Sequence, residues 1–265
     1  MLCVEMMLKY YLNKISFDIQ HQAKSFKYFL RNIVLDQLSY EVLELIAKQN
    51  DVFIFSGVIR DFLTGNYELS RDFDCVVNGA FLKDSSIIDY LRNSTYKLNS
   101  FGGLKIKRQN LVIDIWKLQD TWGIKEMKAD INPNSLIKSA FFNFSAIVYD
   151  FKREKFIYDE NFCMFLLTKT MDVVYEENPN IPLCLVNIYH YNHKYMFSIS
   201  LKMAGWIKRH YSDKMDLESI QIKHFGLIIY PQIEVESFIN EIIEKYVEMN
   251  IAHPFRKYDV QNRLE

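Results

Sequence analysis

Apolar residues recur at helical spacing through residues 1–50 of the chain. The positions that carry this pattern are Phe26, Phe29, Leu30 and Ile33, followed by Leu38, Val42, Leu43 and Ile46. Residues three or four positions apart lie on one face of an α-helix. The pattern therefore predicts helices in this part of the chain.

Short apolar runs further along the chain predict β-strands. They are rich in β-branched and aromatic side chains, and turn-forming residues bound them. The predicted strands are residues 52–55, 73–77, 104–107, 111–116, 143–149 and 155–158. A turn at residues 109–110 would join two of these strands into a hairpin.

Helical patterns return after the strands and dominate the last third of the chain. Helices are predicted just after Ser56-Gly57, ending at Gly65, and at residues 81–91, 183–194, 200–211 and 235–249. The polar tail from Pro254 is expected to be loose. We divide the chain into a helical segment (1–34), a mixed α/β head (35–160) and a helical body (161–265), which makes the fold class α+β.

Composition and charge narrow the class of protein. The 265 residues are 49% hydrophobic and 25% charged, which is typical of a soluble globular protein. The formal net charge is −1, whereas proteins that grip long nucleic acids usually carry a strong basic surplus. We therefore expect a nucleotide or a short oligomer as partner, with no large nucleic acid strongly implied.

Cysteine spacing and hydropathy indicate a cytoplasmic protein. Cys3, Cys75, Cys163 and Cys184 include no Cys-x-x-Cys pair, so we expect free thiols in a reducing compartment and no zinc site. The first residues lack a positively charged leader and a long apolar run, so we predict no signal peptide. No run of about 18 uncharged apolar residues occurs, and no membrane partner is expected.

Three aspartates are the strongest candidates for chemistry. Asp72 and Asp74 are two residues apart on a predicted strand and so point to the same face of a sheet. Asp114 lies in another apolar strand, where an isolated carboxylate would be costly to bury. Carboxylates that converge in this way are ligands for Mg²⁺ or Mn²⁺, and two ions held side by side assist the transfer of a nucleotidyl group.

A phosphate site is predicted beside these carboxylates. Ser56-Gly57 forms a small-residue turn before a short helix, where backbone N–H groups can approach the phosphates of a nucleotide. Arg60 and Arg71 could neutralise phosphate charge. Arg60 with its neighbour Asp61 also fits a simple surface ion pair, and that alternative stays open at this point.

Residues 54–74 resemble the head of the polymerase-β-like nucleotidyltransferases, in the branch that holds CCA-adding enzymes and bacterial poly(A) polymerases. That branch reads roughly Gly-Gly-x-Val-Arg-Asp-x-Leu-x-Gly, then Asp-x-Asp. The chain has Ser-Gly-Val-Ile-Arg-Asp-Phe-Leu-Thr-Gly from Ser56, then Asp72-Phe73-Asp74. Ser56 stands in place of the first glycine, and Asp114 falls where the third catalytic carboxylate is expected.

Weaker matches extend the resemblance to residues 50–200. Residues 141–150 are similar to a later strand of the branch, without its leading Asp and its Asn. Residues 185–199 are similar to the following helix and its Phe-Ser-Ile turn. In that register His190 and Lys194 replace arginines that line the triphosphate. The Glu-Asp-x-x-Arg element with which CCA-adding enzymes choose a base has no counterpart.

The resemblance implies a template-independent nucleotidyltransferase that joins an NTP or dNTP to a hydroxyl and releases pyrophosphate. Two Mg²⁺ or Mn²⁺ ions would be held by Asp72, Asp74 and Asp114. The compact head with a short helical body is similar to nucleotidyltransferases of bacterial anti-phage systems, so the expected product is a short oligonucleotide or nucleotide signal. The alternatives are addition of nucleotides to RNA or tRNA 3′ ends, nucleotidylation of a protein, and a degenerate module that only binds nucleotides.

Overall fold

A computed structural model describes residues 2–55, 57–66, 72–79, 95–98, 103–108 and 111–252. Ser56, Arg71, the predicted helix at residues 81–91, the turn at residues 109–110 and the tail from Pro254 lie outside the described residues. The chain forms two compact units. The first comprises residues 10–167, and the second comprises residues 168–265 together with residues 1–9.

Helices fill residues 2–49, as the spacing of the apolar residues predicts. They are α1 (Leu2–His21), α2 (Ala23–Phe29), a π-helical turn (Leu30–Val34) and α3 (Gln37–Gln49). Asp36 begins α3 by accepting a hydrogen bond from the Ser39 backbone N–H at 2.7 Å, which satisfies one of the otherwise unpaired amides of the first turn.

The first unit is built on a mixed seven-stranded sheet. Its strands are β1 (Asp51–Phe55), β2 (Asp72–Asn78), β3 (Thr95–Leu98), β4 (Leu104–Arg108), β5 (Leu111–Lys117), β6 (Ile147–Asp150) and β7 (Lys155–Tyr158). Their order across the sheet is β3-β4-β5-β2-β1-β6-β7. Strands β2 and β5 pair in parallel, and the other pairs within this sheet are antiparallel.

One predicted strand begins later than expected. Residues 143–145 form a 3₁₀ turn, and β6 starts only at Ile147. The side chain of Asn143 accepts a hydrogen bond from the Phe144 N–H at 3.0 Å, and its carbonyl accepts one from the Ala146 N–H at 3.1 Å. These local bonds offer the backbone an alternative to strand pairing. The prediction of a strand over residues 143–149 was therefore wrong at its first residues.

Helices cover one face of the sheet. Helix α4 (Gly57–Thr64) follows β1, and the shorter helices of the unit are α5 (Trp122–Glu126), α6 (Pro133–Lys138) and α7 (Glu160–Thr168). The fully buried ring of Phe26 in α2 lies 4.9 Å from that of Tyr149 in β6 and 5.1 Å from that of Phe62 in α4. Tyr149 also donates its hydroxyl hydrogen to the Ala23 carbonyl at 3.1 Å. These contacts place the core of the unit on this face.

The second unit is mainly helical. Its elements are the parallel strands β8 (Thr170–Met171) and β9 (Ser198–Ile199), and the helices α8 (Ile181–Tyr195), α9 (Leu201–His210), α10 (Leu217–Phe225) and α11 (Gln232–Ala252). Three of these helices match the predicted ones to within three residues at each end, and α10 was not predicted. The expected α+β class, with a head of mixed sheet and helices followed by a helical body, is confirmed.

Cys75, Cys163 and Cys184 are buried free thiols, as their spacing predicted. None of the helices described above combines the length and the apolar character that crossing a lipid bilayer requires.

We expect Phe26→Ala to lower the free energy of unfolding by about 3–5 kcal/mol, because truncation of a fully buried aromatic ring leaves a cavity. Chemical denaturation measures the change. Tyr28→Ala is the matched control, since this neighbouring ring is 69% exposed and its loss should stay within about 0.5 kcal/mol. Equal effects of the two substitutions would contradict the packing described for α2.

Candidate active site

The parallel pairing of β2 with β5 brings the three predicted carboxylates to one face of the sheet. Asp74 lies directly opposite Asp114 in the register, and Asp72 lies two residues before Asp74 on the same strand. Residues two apart on a strand share a face. We call Asp72, Asp74 and Asp114 the carboxylate cluster.

The residues between the carboxylates point to the face that the helices cover. Phe73, Cys75, Ile113 and Ile115 are each at most 1% exposed. The carboxylates alternate with them, Asp72 being exposed and Asp74 and Asp114 partly exposed. The apolar alternation of the two strands thus fixes the orientation of the cluster, because rotating it inward would expose this core.

Ionisation of all three carboxylates of the cluster at once is electrostatically unfavourable. Burial raises the pKa of Asp74 from 3.8 to about 7, and repulsion from Asp114 and then from Asp72 adds to the effect, while Lys105 opposes it. Carboxylates this close to one another disfavour simultaneous ionisation. Positive charge placed here would therefore be strongly favoured.

A lysine that sequence reasoning missed lies against the cluster. Lys105 of β4 is opposite Asp114 in the antiparallel register, and its Nζ is 2.8 Å from Asp114 Oδ2. The hydrogen bond to Asp114 raises the pKa of Lys105, although partial burial opposes the change. The available signal was the alternating Leu-Lys-Ile-Lys of β4 together with the predicted hairpin, because a turn at residues 109–110 sets Lys105 opposite Asp114.

Further lysines share this face of the sheet. Lys97 of β3 lies opposite Lys105, and Lys107 is two residues from Lys105 on β4. All three are exposed. Acidic and basic side chains therefore divide the exposed part of this face, which we call the open face, with aspartates on β2 and β5 and lysines on β3 and β4. On the same side of the sheet Phe53, Val76 and Val148 are buried, so the open face does not extend over all the strands.

The donor set suits a hard divalent cation, since carboxylate oxygens are the ligands that Mg²⁺ and Mn²⁺ prefer. Within the part of the chain that the structure describes, no three His, Cys, Asp or Glu side chains are arranged so that they could hold a metal ion. The Asp114 carboxylate is bound to Lys105 instead. The three carboxylates have the donor chemistry of a metal site and share one face of the sheet, but their side chains would have to converge further to bind an ion together. The metal role of the cluster stays a prediction.

The beginning of α4 adjoins the carboxylates. Strand β1 ends at Phe55, which is paired with Asp74, and α4 begins two residues later at Gly57. The free N–H groups at a helix N-terminus carry partial positive charge and attract phosphates. The structure thus places Gly57 two residues beyond Phe55, the strand partner of Asp74. The phosphate role of Gly57 remains a prediction.

Arg60 and Asp61 form a buried ion pair, so the alternative of a surface pair was wrong. Each residue is 5% exposed. Nε and Nη2 of Arg60 lie 2.8 and 2.7 Å from Asp61 Oδ1, and the guanidinium is 5.4 Å from the centre of the Phe144 ring. These contacts anchor α4 in the core. Contact of Arg60 with phosphate stays a prediction.

His190 and Lys194 lie on α8, in the second unit. The hydroxyl of Tyr230 is 2.9 Å from His190 Nδ1, and Lys194 Nζ lies 5.2 Å from the centre of the Tyr195 ring. Gln221, which is fully buried, fixes the Tyr230 backbone by accepting from its N–H at 2.9 Å and donating to its carbonyl at 2.9 Å. The triphosphate role of His190 and Lys194 stays a prediction.

Several solved structures share this fold. A CCA-adding enzyme in complex with ATP matches with a TM-score of 0.57 at 14% identity, over 85% of this chain and 55% of that chain. The Thermotoga maritima CCA-adding enzyme complexed with tRNA matches with a TM-score of 0.59 at 13% identity, over 90% and 57% of the two chains. A tRNA nucleotidyltransferase complexed with a primer tRNA and an incoming ATP analogue matches with a TM-score of 0.53 at 16% identity, over 82% and 64%.

These matches concern the fold. No family model and no curated protein sequence matches the chain. The chain spans 55–64% of the length of the three structures. The expected α+β fold is confirmed, and CCA-adding enzymes share it.

Removing the charge of Asp74 should stabilise the metal-free protein at alkaline pH. The pKa of Asp74 is about 7 in the folded state, against an ordinary value of 3.8. Protonation of Asp74 therefore stabilises the folded state fully below about pH 4, and this stabilisation is lost as the pH rises through 7. After allowance for solvent screening, we expect Asp74→Asn to be about 1–3 kcal/mol more stable than the wild type at pH 8.

Chemical denaturation in EDTA at pH 5 and pH 8 would measure this difference, which should be much smaller at the lower pH. Asp130→Asn is the control, because Asp130 is exposed and outside the cluster. The opposite result is that the free energy of unfolding of the wild type rises relative to that of Asp74→Asn between pH 5 and pH 8. This would contradict repulsion within the cluster.

The buried ion pair of α4 makes a separate prediction. Asp61→Ala removes the carboxylate paired with buried Arg60 and should cost about 3–5 kcal/mol of unfolding free energy in urea denaturation. The double variant Arg60→Met/Asp61→Ala should be less destabilised than Asp61→Ala, because it removes both charges of the buried pair. Arg60→Met is measured as the second single variant. A loss in the double variant equal to the sum of the losses in Arg60→Met and Asp61→Ala would show that the residues do not act as a pair.

Proposed function

We propose that the protein is a metal-dependent nucleotidyltransferase that joins an NTP or dNTP to a hydroxyl without a template. The carboxylate cluster, assembled by the β2–β5 register, is the observation that carries this proposal. The shared fold with CCA-adding enzymes and a tRNA nucleotidyltransferase supports it.

In this reaction the acceptor oxygen forms a bond to the α-phosphorus, and the bond from phosphorus to the bridging oxygen breaks. Pyrophosphate departs with that electron pair, and the acceptor hydroxyl loses its proton. The residues of this chain hold the reacting groups: the carboxylate cluster lies on the open face of the sheet, and the N–H groups of α4 beginning at Gly57 are available for the phosphates.

Asp72, Asp74 and Asp114 would together hold Mg²⁺ or Mn²⁺, and we propose two ions. When bound, such ions neutralise phosphate charge and lower the pKa of the attacking hydroxyl. The raised pKa of Asp74 supports this assignment, since burial and the neighbouring carboxylates create a demand for positive charge at the cluster.

For the acceptor we propose first a short oligonucleotide, so that the product would be a small nucleotide signal, by analogy with anti-phage systems. The net charge of −1 supports a small acceptor. A specific observation favours a second candidate, the 3′ end of an RNA: Lys97, Lys105 and Lys107 give the site a basic border that suits a phosphate backbone. Two of the structures with the same fold are complexed with tRNA.

We also propose that the protein acts in the cytoplasm. The buried free thiols Cys75, Cys163 and Cys184 suit a reducing compartment.

The proposal predicts pyrophosphate release when the protein is incubated with Mg²⁺ or Mn²⁺ and labelled nucleotides, each NTP and dNTP being tested separately. Asp72→Ala, Asp74→Ala and Asp114→Ala should each reduce release at least about 100-fold, because each removes a candidate metal ligand. Asp130→Ala is the matched control and should retain full activity. Wild-type turnover in either Asp72→Ala or Asp74→Ala would refute the metal assignment. No release with any nucleotide would favour a module that only binds nucleotides.

The acceptor can be identified in the same assay by product analysis. Nucleotide alone, nucleotide with short oligonucleotides, and nucleotide with tRNA should be compared by gel electrophoresis and mass spectrometry. Short products from nucleotide alone would support the signal hypothesis, and lengthened tRNA would support 3′-end addition. A mass increase on a protein would instead indicate nucleotidylation of a protein hydroxyl.

A further inference from the structure

Lys105 already supplies a positive charge to the carboxylate cluster. Its Nζ is 2.8 Å from Asp114 Oδ2, and the side chains are 49% and 29% exposed. Its charge also interacts favourably with Asp72 and Asp74, so the ammonium lies within the field of all three carboxylates. A divalent cation bound by Asp114 would have to share or displace this partner.

The backbone register makes the position of Lys105 specific. Across the open face, one row of directly opposed residues runs Asp74, Asp114, Lys105. The neighbouring row runs Asp72, Val112, Lys107, so that a valine separates Lys107 from the nearest carboxylate of its row. Two lysines on the same strand and the same face therefore differ in their access to the cluster.

We propose that Lys105 is a tethered counter-ion that occupies the cluster when no metal is present and competes with the divalent cation for Asp114. This inference rests on the proposed function, because it takes the cluster as the metal site. An isolated exposed ion pair contributes little, but the carboxylate that Lys105 contacts belongs to a cluster of three like charges, and this gives the lysine charge a role in holding them together.

The competition has a consequence for the order of binding. A cation that must displace Lys105 binds weakly to the free protein, whereas a cation that arrives on a triphosphate brings an anion that can receive the released ammonium. The metal and the nucleotide then favour each other's binding. Lys105 is on this view a positioning residue that makes metal binding depend on the nucleotide.

Direct binding of Mn²⁺ in the absence of nucleotide, followed by electron paramagnetic resonance of the free ion, tests the proposal. Lys105→Met keeps an apolar stem and removes the charge, and we expect it to bind Mn²⁺ about tenfold more tightly than the wild type. Lys105→Arg retains the charge and should stay close to the wild type. Lys107→Met, on the same strand and face, is the matched control and should change the affinity less than about twofold.

A second measurement separates competition from a structural effect. Addition of Mn²⁺ to the EDTA-treated protein should raise the melting temperature more in Lys105→Met than in the wild type, and Lys105→Met/Asp74→Asn should lose this response. Adding a non-hydrolysable nucleotide should tighten Mn²⁺ binding more in the wild type than in Lys105→Met.

Unchanged or weaker Mn²⁺ binding in Lys105→Met would overturn the proposal, and so would an equal gain in Lys107→Met. Because these measurements require no turnover, they are independent of the activity assay. A protein that binds Mn²⁺ as described but transfers no nucleotide would refute the proposed function and leave the role of Lys105 standing.

Discussion

Backbone hydrogen bonds between β2 and β5 hold like charges side by side. Asp74 and Asp114 are 40 residues apart in the sequence, and only the parallel register makes them neighbours. The buried positions that alternate with them, such as Cys75 and Ile115, bind the two strands into the core. The apolar face thus supplies the free energy that keeps the carboxylates together against their repulsion. The geometry of the whole site depends on this pairing.

The first unit holds charged side chains in two different environments. Arg60 and Asp61 neutralise each other within the core and fix α4. A short distance along the chain, Asp74 remains partly exposed, and repulsion from its neighbours adds to the burial that raises its pKa. The Arg60–Asp61 pair is buried, whereas Asp74 is partly exposed and added positive charge would stabilise its ionised form. Such a contrast is typical of a rigid scaffold that carries a reactive site.

The sequence predicted the helices and strands better than the way in which they pair and pack. Asp72 and Asp74 share a face because of the two-residue period of a strand, and this holds whatever the partner strand is. The position of Asp114 opposite Asp74 requires a parallel pairing that no local pattern specifies. Lys105 was missed although a hairpin of β4 and β5 was predicted, because its position opposite Asp114 depends on the register of that hairpin and not on the alternation within one strand. The burial of Arg60 depends on packing beneath α4, and local hydrogen bonds at Asn143 delay the start of β6. Periodicity reports none of these.

The strict alternation of faces in β2 and β5 also constrains how this gene can change. Exchange of one apolar side chain for another on the covered face alters packing by a limited amount. Insertion or deletion of a single residue within Asp72–Asn78 or Leu111–Lys117 would move every following side chain to the opposite face, so that aspartate would enter the core and isoleucine would meet water. Length variation among descendants of this sequence should therefore gather in the connections between strands and spare these two segments.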